Sequence, residues 1–236
     1  MLSPRPSDAR GLTRIDWLHS RHTFSFGDYH DPRHMGFRAL RVLNDDTVAP
    51  GQGFGTHGHR DMEILTLVLS GALAHKDSLG HTETLRPGEA QVMTAGSGIR
   101  HSEFNPSATE PVHFLQMWIL PRATGLPPGY AQRAFPRGDA PAGVARIAGL
   151  VGTHEADGAL PIQADASVFR IDLRPGASAD VQIAPGRAAW IHLATGSARV
   201  GPHTLAAGDG LAAIDEPRIS LAAGAEGCLA VVFDLA

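Results

Sequence analysis

Two short patterns carry the residue types that coordinate metals. His57 and His59 stand two apart in GQGFGTHGHRDMEILTLVLSG, and His101 and Glu103 stand two apart in PGEAQVMTAGSGIRHSEFN. In an extended strand, residues i and i+2 point to the same face. Each pair therefore offers two ligand-type side chains on one side of a strand. If the two strands face one barrel interior, three imidazoles and a carboxylate converge. Such a set suits a divalent transition metal: Fe(II), Ni, Cu, Mn or Zn. On an octahedral ion, four protein ligands leave two positions open for a substrate or oxygen. Glycines crowd around both pairs (Gly51, Gly53, Gly55, Gly58, Gly96 and Gly98) and let the backbone bend at a barrel mouth. Glu63 is a rival carboxylate, since parity along the chain puts it on the face of His57 and His59. Spacing alone does not decide between Glu63 and Glu103.

The elements that would position these residues read as short strands. Turn signals recur at Pro50-Gly51, Ser70-Gly71, Pro87-Gly88, Pro175-Gly176, Pro185-Gly186, Thr195-Gly196 and residues 207–210. Between them lie β-rich runs at 37–43, 63–69, 90–94, 112–120, 168–173, 188–193 and 229–235. No window sustains a helical apolar face with good caps. The fold expected is all-β, a sandwich or barrel closed against exposed edges. A weak internal echo pairs LSGA and LRPGEA in the first half with ATGS and LAAGDG in the second. It suggests two related barrels divided within the Pro/Gly-rich stretch 121–143, as domains 1–130 and 131–236. The second half offers Gln182, Ala184, Leu221 and Ala223 where the first has its ligand pairs. No His-x-His or His-x-Glu pair follows residue 103, so the second barrel is expected to be metal-free.

Composition narrows the function classes. The 236 residues are 43% hydrophobic and 19% charged, which excludes a disordered chain. A single cysteine, Cys228, excludes a disulfide framework and a Cys-based zinc finger, and suits a reducing compartment. It reads as a small buried apolar residue. The net charge of −4 argues against a broad nucleic-acid footprint. No run reaches the ~20 apolar residues that cross a bilayer, and MLSPRPSDARGLTR has no apolar core of a signal peptide. The expected setting is the cytoplasm, and closed barrels favour a monomer.

The pattern Gly51, His57, His59, Glu63, then His101 and Asn105, resembles the two cupin motifs. More closely, the chain resembles the pirin family and its bacterial quercetinase-like members. The resemblance rests on HTFSFGDYHDPRHMGFRALRVLNDD, GFGTHGHRDMEILTLVLSG and MTAGSGIRHSEFNPS, and thins toward WIHLATG and LAAIDEP. The Gly88 to His101 spacing is longer than in the usual second cupin motif and the usual Pro is absent, a variation that pirin-like sequences share. The resemblance implies a bicupin of two jelly-roll barrels with metal only in the first. It implies His57, His59, His101 and Glu103 as ligands, with Glu63 as a neighbour or hydrogen-bond partner. The metal it implies is Fe(II) first, with Ni, Mn, Cu, Co or Zn as alternatives. The activity it implies is quercetin 2,3-dioxygenase chemistry: metal-dependent opening of a flavonol by O2 with release of carbon monoxide. Glu103 would be the catalytic residue, accepting the flavonol hydroxyl proton. A regulatory, redox-sensing pirin without a flavonol substrate is the alternative, and a non-oxidative isomerase is a third reading.

The remaining histidines (His19, His22, His30, His34, His75, His81, His113, His154, His192 and His203) read as surface or hydrogen-bonded core positions. His22 and His34 lie in an aromatic segment that could pack near the barrel mouth. Phe54, Met93, Phe104, Met117 and Trp118 could line a slot for a flat substrate, although plain core is the simpler reading. Arg100 reads equally as a substrate-anion partner or a solvated side chain.

Overall fold

The computed structural model of the chain describes residues 1–135, 143–152 and 157–236. His154 lies outside the described residues. The described residues form β1 (Leu2–Arg5), a 3-10 turn (Ser7–Ala9), β2 (Gly11–Ile15), β3 (Leu18–His22), β4 (Leu40–Val48), β5 (Gly53–His59), β6 (Glu63–Ser70), β7 (Leu73–Asp77), β8 (Thr82–Leu85), β9 (Glu89–Thr94), β10 (Ile99–Phe104), β11 (Val112–Ile119) and β12 (Gly129–Ala134). They continue as β13 (Val144–Leu150), β14 (Leu160–Ile162), β15 (Ala166–Leu173), β16 (Ser178–Gln182), β17 (Ala188–Val200), β18 (His203–Ala206), β19 (Gly210–Ile214) and β20 (Arg218–Leu235). The all-β expectation holds: none of the described residues is α-helical.

The first barrel is closed by two facing sheets. One has the order β12-β9-β6-β11-β4-β3-β2 and the other β5-β10-β7-β8. The third sheet, β1-β19-β17-β20-β15-β13-β14 with β16 and β18 attached, curls into the second barrel. This is the bicupin arrangement. The first strand leaves its own half of the chain, because β1 pairs antiparallel with β19 of the second barrel.

Burial explains the strand patterns. β10 has one buried face and alternates buried and exposed residues, whereas β6 is buried on both faces from Glu63 to Val68. The inner face of β6 carries Thr66 and Val68. Its outer face sends Leu65 and Leu67 into a core shared with Val168, Trp190 and Phe233 of the second barrel. A separate cluster, including Ile191, Leu193 and Val232, fills the second barrel.

Two local expectations change. The run expected at 37–43 begins as a tight turn, in which Phe37 bridges Leu40 and Arg38 has φ 52°, so the strand itself starts at Leu40. Thr195-Gly196 is a bulge inside β17 rather than a turn: the register with β20 shifts on both sides of Gly196, whose φ of 74° suits glycine.

Candidate metal centre

The four-stranded sheet presents its ligand-type residues as a small grid. In β5, His57 and His59 share a face, and His57 lies directly opposite His101 of β10. On the other side of β10, His101 faces Asp77 and Glu103 faces His75 of β7. The register between β10 and β5 shifts between His101 and Glu103, so a bulge sits at the centre of the grid. Close approach of the two strands requires glycine at position 53, where a Cβ would lie 2.5 Å from the Phe104 Cα.

This arrangement brings three imidazole nitrogens together. The Nε2 atom of His101 lies 2.9 Å from that of His59 and 3.1 Å from that of His57. His57 Nδ1 donates to the Gly55 carbonyl at 2.8 Å, which leaves its Nε2 lone pair directed at the other two rings. The ligand atoms of His57, His59 and His101 all lie within 4.8 Å of one another, and so do those of His75, His101 and Glu103. His101 therefore belongs to both groups. Burial, and then the neighbouring His57, lower the His59 pKa to about 4. Burial, followed by His57 and His59, lowers that of His101 to about 3. Both rings are neutral near pH 7, the form that coordinates metal. The donor set of neutral imidazoles backed by a buried carboxylate fits a divalent transition ion.

Glu103 is held from the opposite sheet. Gln116 of β11 donates Nε2 to its Oε2 at 2.7 Å, and the Thr66 hydroxyl of β6 lies 3.5 Å from its Oε1. Gln91 of β9 donates in turn to Thr66 at 3.3 Å, and the Tyr130 hydroxyl sits 3.1 Å from Gln91 Oε1. The register makes this one row: His22, Asn44, Gln116, Thr66 and Gln91 are successive cross-strand partners over five strands. Burial pushes the Glu103 carboxyl up to about 7, against the pull of Gln116 and Thr66.

Glu63 stands apart. Its Oε2 accepts from Thr94 at 2.8 Å, and it belongs to neither ligand group. Chain parity fails for it because the turn between β5 and β6, with Asp61 at φ 49°, resets the alternation and moves Glu63 to the other sheet. It starts β6 beside Leu65, on the face turned away from Thr66 and hence from Glu103.

A cavity of about 520 Å³ opens over the imidazoles. Trp17, Phe26, Phe54 and Trp118 form aromatic walls, with His57, His59 and Glu103 on one side and His22, Asn44 and Asp46 on another. Trp118 meets His59 edge-on with centroids 4.9 Å apart, and Phe26 at 5.4 Å. Of the five residues considered for a slot, Phe54 and Trp118 line it. Met93 and Met117 are core, and Phe104 is 41% exposed on the outside. Arg100 is exposed as well.

The sequence reading took His75 as a surface or hydrogen-bonded core position, which its burial bears out, but did not place it or Asp77 beside the candidate ligands. Both are buried: His75 Nε2 donates to Asp77 Oδ2 at 3.1 Å, and the ring stacks on Tyr130 with centroids 4.8 Å apart. His75-x-Asp77 repeats the i, i+2 spacing of the other two pairs, which was the available signal. Gln116, Thr66 and Gln91 gave none, because only strand register brings them to Glu103.

The family model described as Pirin matches residues 5–119, and that described as Quercetinase C-terminal cupin domain matches residues 150–235. The protein named quercetin 2,3-dioxygenase in Escherichia coli (strain K12) is 44% identical over 235 residues, covering 100% of this chain and 99% of the relative. A pirin-like protein of Caulobacter vibrioides is 39% identical, covering 94% and 95% of the two chains. The crystal structure of the bacterial pirin YhhW from Escherichia coli in complex with nickel(II) superposes with a TM-score of 0.91 at 44% identity, over 100% of this chain and 99% of that one. With that similarity spanning both barrels from end to end, the chain belongs to the pirin family.

Proposed function

We propose that this protein is a metal-dependent dioxygenase that opens flavonols such as quercetin and releases carbon monoxide. The observation that carries the reading is the convergence of three imidazole nitrogens, those of His57, His59 and His101, beside an aromatic-lined cavity that His57, His59 and Glu103 line. His57, His59, His101 and Glu103 would hold one divalent transition metal, with iron and nickel the leading candidates. When bound, the metal supplies Lewis-acid polarisation of an enolic oxygen and places for substrate and O2.

The chain's own residues do the rest. Trp17, Phe26, Phe54 and Trp118 bound a slot that excludes water and fits a flat ring system. Glu103 accepts the flavonol hydroxyl proton. Gln116 and Thr66 hold that carboxyl in place from the facing sheet. The quercetin 2,3-dioxygenase name of a relative 44% identical over its full length supports the substrate class.

The reading extends to organisation and setting. Residues 1–130 are the metal-bearing unit and residues 131–236 a metal-free one, save that β1 pairs into the second barrel and β12 completes a sheet of the first; the protein acts in the cytoplasm as a monomer, and it binds no nucleic acid. The test is aerobic quercetin turnover by protein stripped of metal and reloaded with iron or nickel, with His101→Ala as control. Turnover restored by metal in the wild type alone is the expected result. Turnover by verified metal-free protein overturns the mechanism. Metal retention without turnover of any flavonol supports the regulatory pirin instead.

A further inference from the structure

Asp46 stands on the cavity wall with an oxygen that nothing satisfies. It lies in β4, opposite Ser20 of β3 and Phe114 of β11. Alternation along β4 divides the acidic pair Asp45-Asp46: Asp45 turns to Arg10 and His113, whereas Asp46 lines the cavity together with Asn44. Asp46 is 3% exposed, and its Oδ1 has no hydrogen-bond partner. A buried carboxylate oxygen left unpaired costs free energy on the order of 1–3 kcal/mol or more, so an orphan on a residue that lines a ligand cavity points to a ligand donor.

The two buried carboxyls of the cavity, Asp46 and Glu103, differ in this respect. Glu103 receives Gln116 on one oxygen and Thr66 on the other. The neighbouring polar side chains are also engaged with one another: His22 donates Nδ1 to Asn44 Oδ1 at 2.8 Å and accepts the Thr13 hydroxyl at Nε2 at 2.8 Å. Asp46 Oδ1 is thus the free acceptor of this wall. Burial raises its pKa to about 7, against a hydrogen bond from Ser20 and with Asp45 and Glu103 adding to the rise.

We propose that Asp46 is the second anchor of the cavity: its Oδ1 accepts the hydrogen bond of a substrate hydroxyl other than the one directed at the imidazoles. It thereby selects polyhydroxylated aromatics over flat aromatics bearing a single hydroxyl. This inference rests on the flavonol reading given above and names the feature of the substrate that the site reads.

The test measures anaerobic binding of quercetin and of 3-hydroxyflavone, which carries only one hydroxyl, to the nickel-loaded protein by tryptophan fluorescence quenching. The wild type should bind quercetin about tenfold or more tightly than 3-hydroxyflavone. Asp46→Leu should bring that ratio to within about threefold of unity, chiefly by weakening quercetin. Asp46→Asn keeps the shape and a neutral acceptor, and should give an intermediate ratio. A ratio unchanged by Asp46→Leu, or by Asp46→Asn should the leucine variant fail to fold, overturns the role of Asp46. Equal binding of both flavonols by the wild type overturns it too, while leaving the flavonol reading intact. Wild-type protein that binds neither compound overturns the flavonol reading and this inference together.

Discussion

Gln116 donates Nε2 to Glu103 Oε2 at 2.7 Å, joining the two sheets of the first barrel at the carboxylate of the candidate metal centre. Groups that orient metal ligands typically contribute 10–100-fold to metal affinity. Gln116→Leu keeps the apolar bulk but removes the donor. Nickel affinity measured by titration calorimetry should fall by about one to two orders of magnitude, with the fold retained. Unchanged affinity would show that Glu103 is positioned by something else.

His101 belongs to both ligand groups, so its loss should be felt more widely than that of His57. A ligand that binds only the folded state stabilises it by mass action, by about 2.7 kcal/mol at a hundred times its Kd. Adding nickel or iron should raise the melting temperature of the stripped wild type by several degrees. It should leave His101→Ala almost unmoved, and elemental analysis should find little metal in that variant. A full thermal shift in His101→Ala would remove this residue from the ligand set.

Gly53 allows β5 to lie against β10 at the site. A Cβ there would sit 2.5 Å from the Phe104 Cα and closer still to the Glu103 carbonyl oxygen, both of them backbone atoms that cannot swing away. Gly53→Ala must therefore spread the two strands. The expected cost is about 1–3 kcal/mol of stability, as for other overpacked sites, together with weakened metal retention. Gly55, beside it in the same strand, has open space at its Cβ position. Gly55→Ala is thus the control, and equal melting temperatures for the two variants would refute the argument.

Much of this site could be read from spacing. The i, i+2 rule placed His57 with His59 and His101 with Glu103 because each pair lies within one strand, where alternation is a local property. The rule failed for Glu63, since a turn with Asp61 at positive φ separates it from His59 and hands it to another sheet. Gln116 and Thr66 were invisible for a related reason. Their meeting with Glu103 depends on which sheets face each other, and no pattern within either strand records that. The turn glycines were legible as punctuation, but Gly196 shows that the same signal also marks a bulge inside a longer strand. The departure of β1 to the second barrel rests on pairing across about the whole chain length, which local composition does not encode.

The contact between the barrels should carry a pH dependence of its own. His192 of β17 is fully buried, and neither ring nitrogen has a hydrogen-bond partner. Its Nε2 lies 4.0 Å from Asp45 Oδ2 of the first barrel, and Asp45 also takes His113 at 2.6 Å and Arg10 at 3.4 Å. Burial and then Arg10 lower the His192 pKa to about 3, with Asp45 opposing. The folded protein therefore binds fewer protons at this ring than the unfolded chain does between about pH 3 and the ordinary histidine value of ~6.5. Its contribution to stability is fully present above that ordinary value and is lost as the pH falls toward the folded one, by up to ~1.4 kcal/mol per pH unit for one proton. Asp46, whose pKa is raised to about 7, acts in the opposite sense, so its part of stability declines as the pH rises through the carboxylate range to 7. Comparison of variants isolates the histidine. His192→Leu should lose less stability than the wild type between pH 6.5 and pH 5, read from urea midpoints at each pH with m held constant. Parallel pH profiles for the two proteins would show that the buried ring takes up no proton on unfolding in that range, and the pH dependence would then belong to other groups.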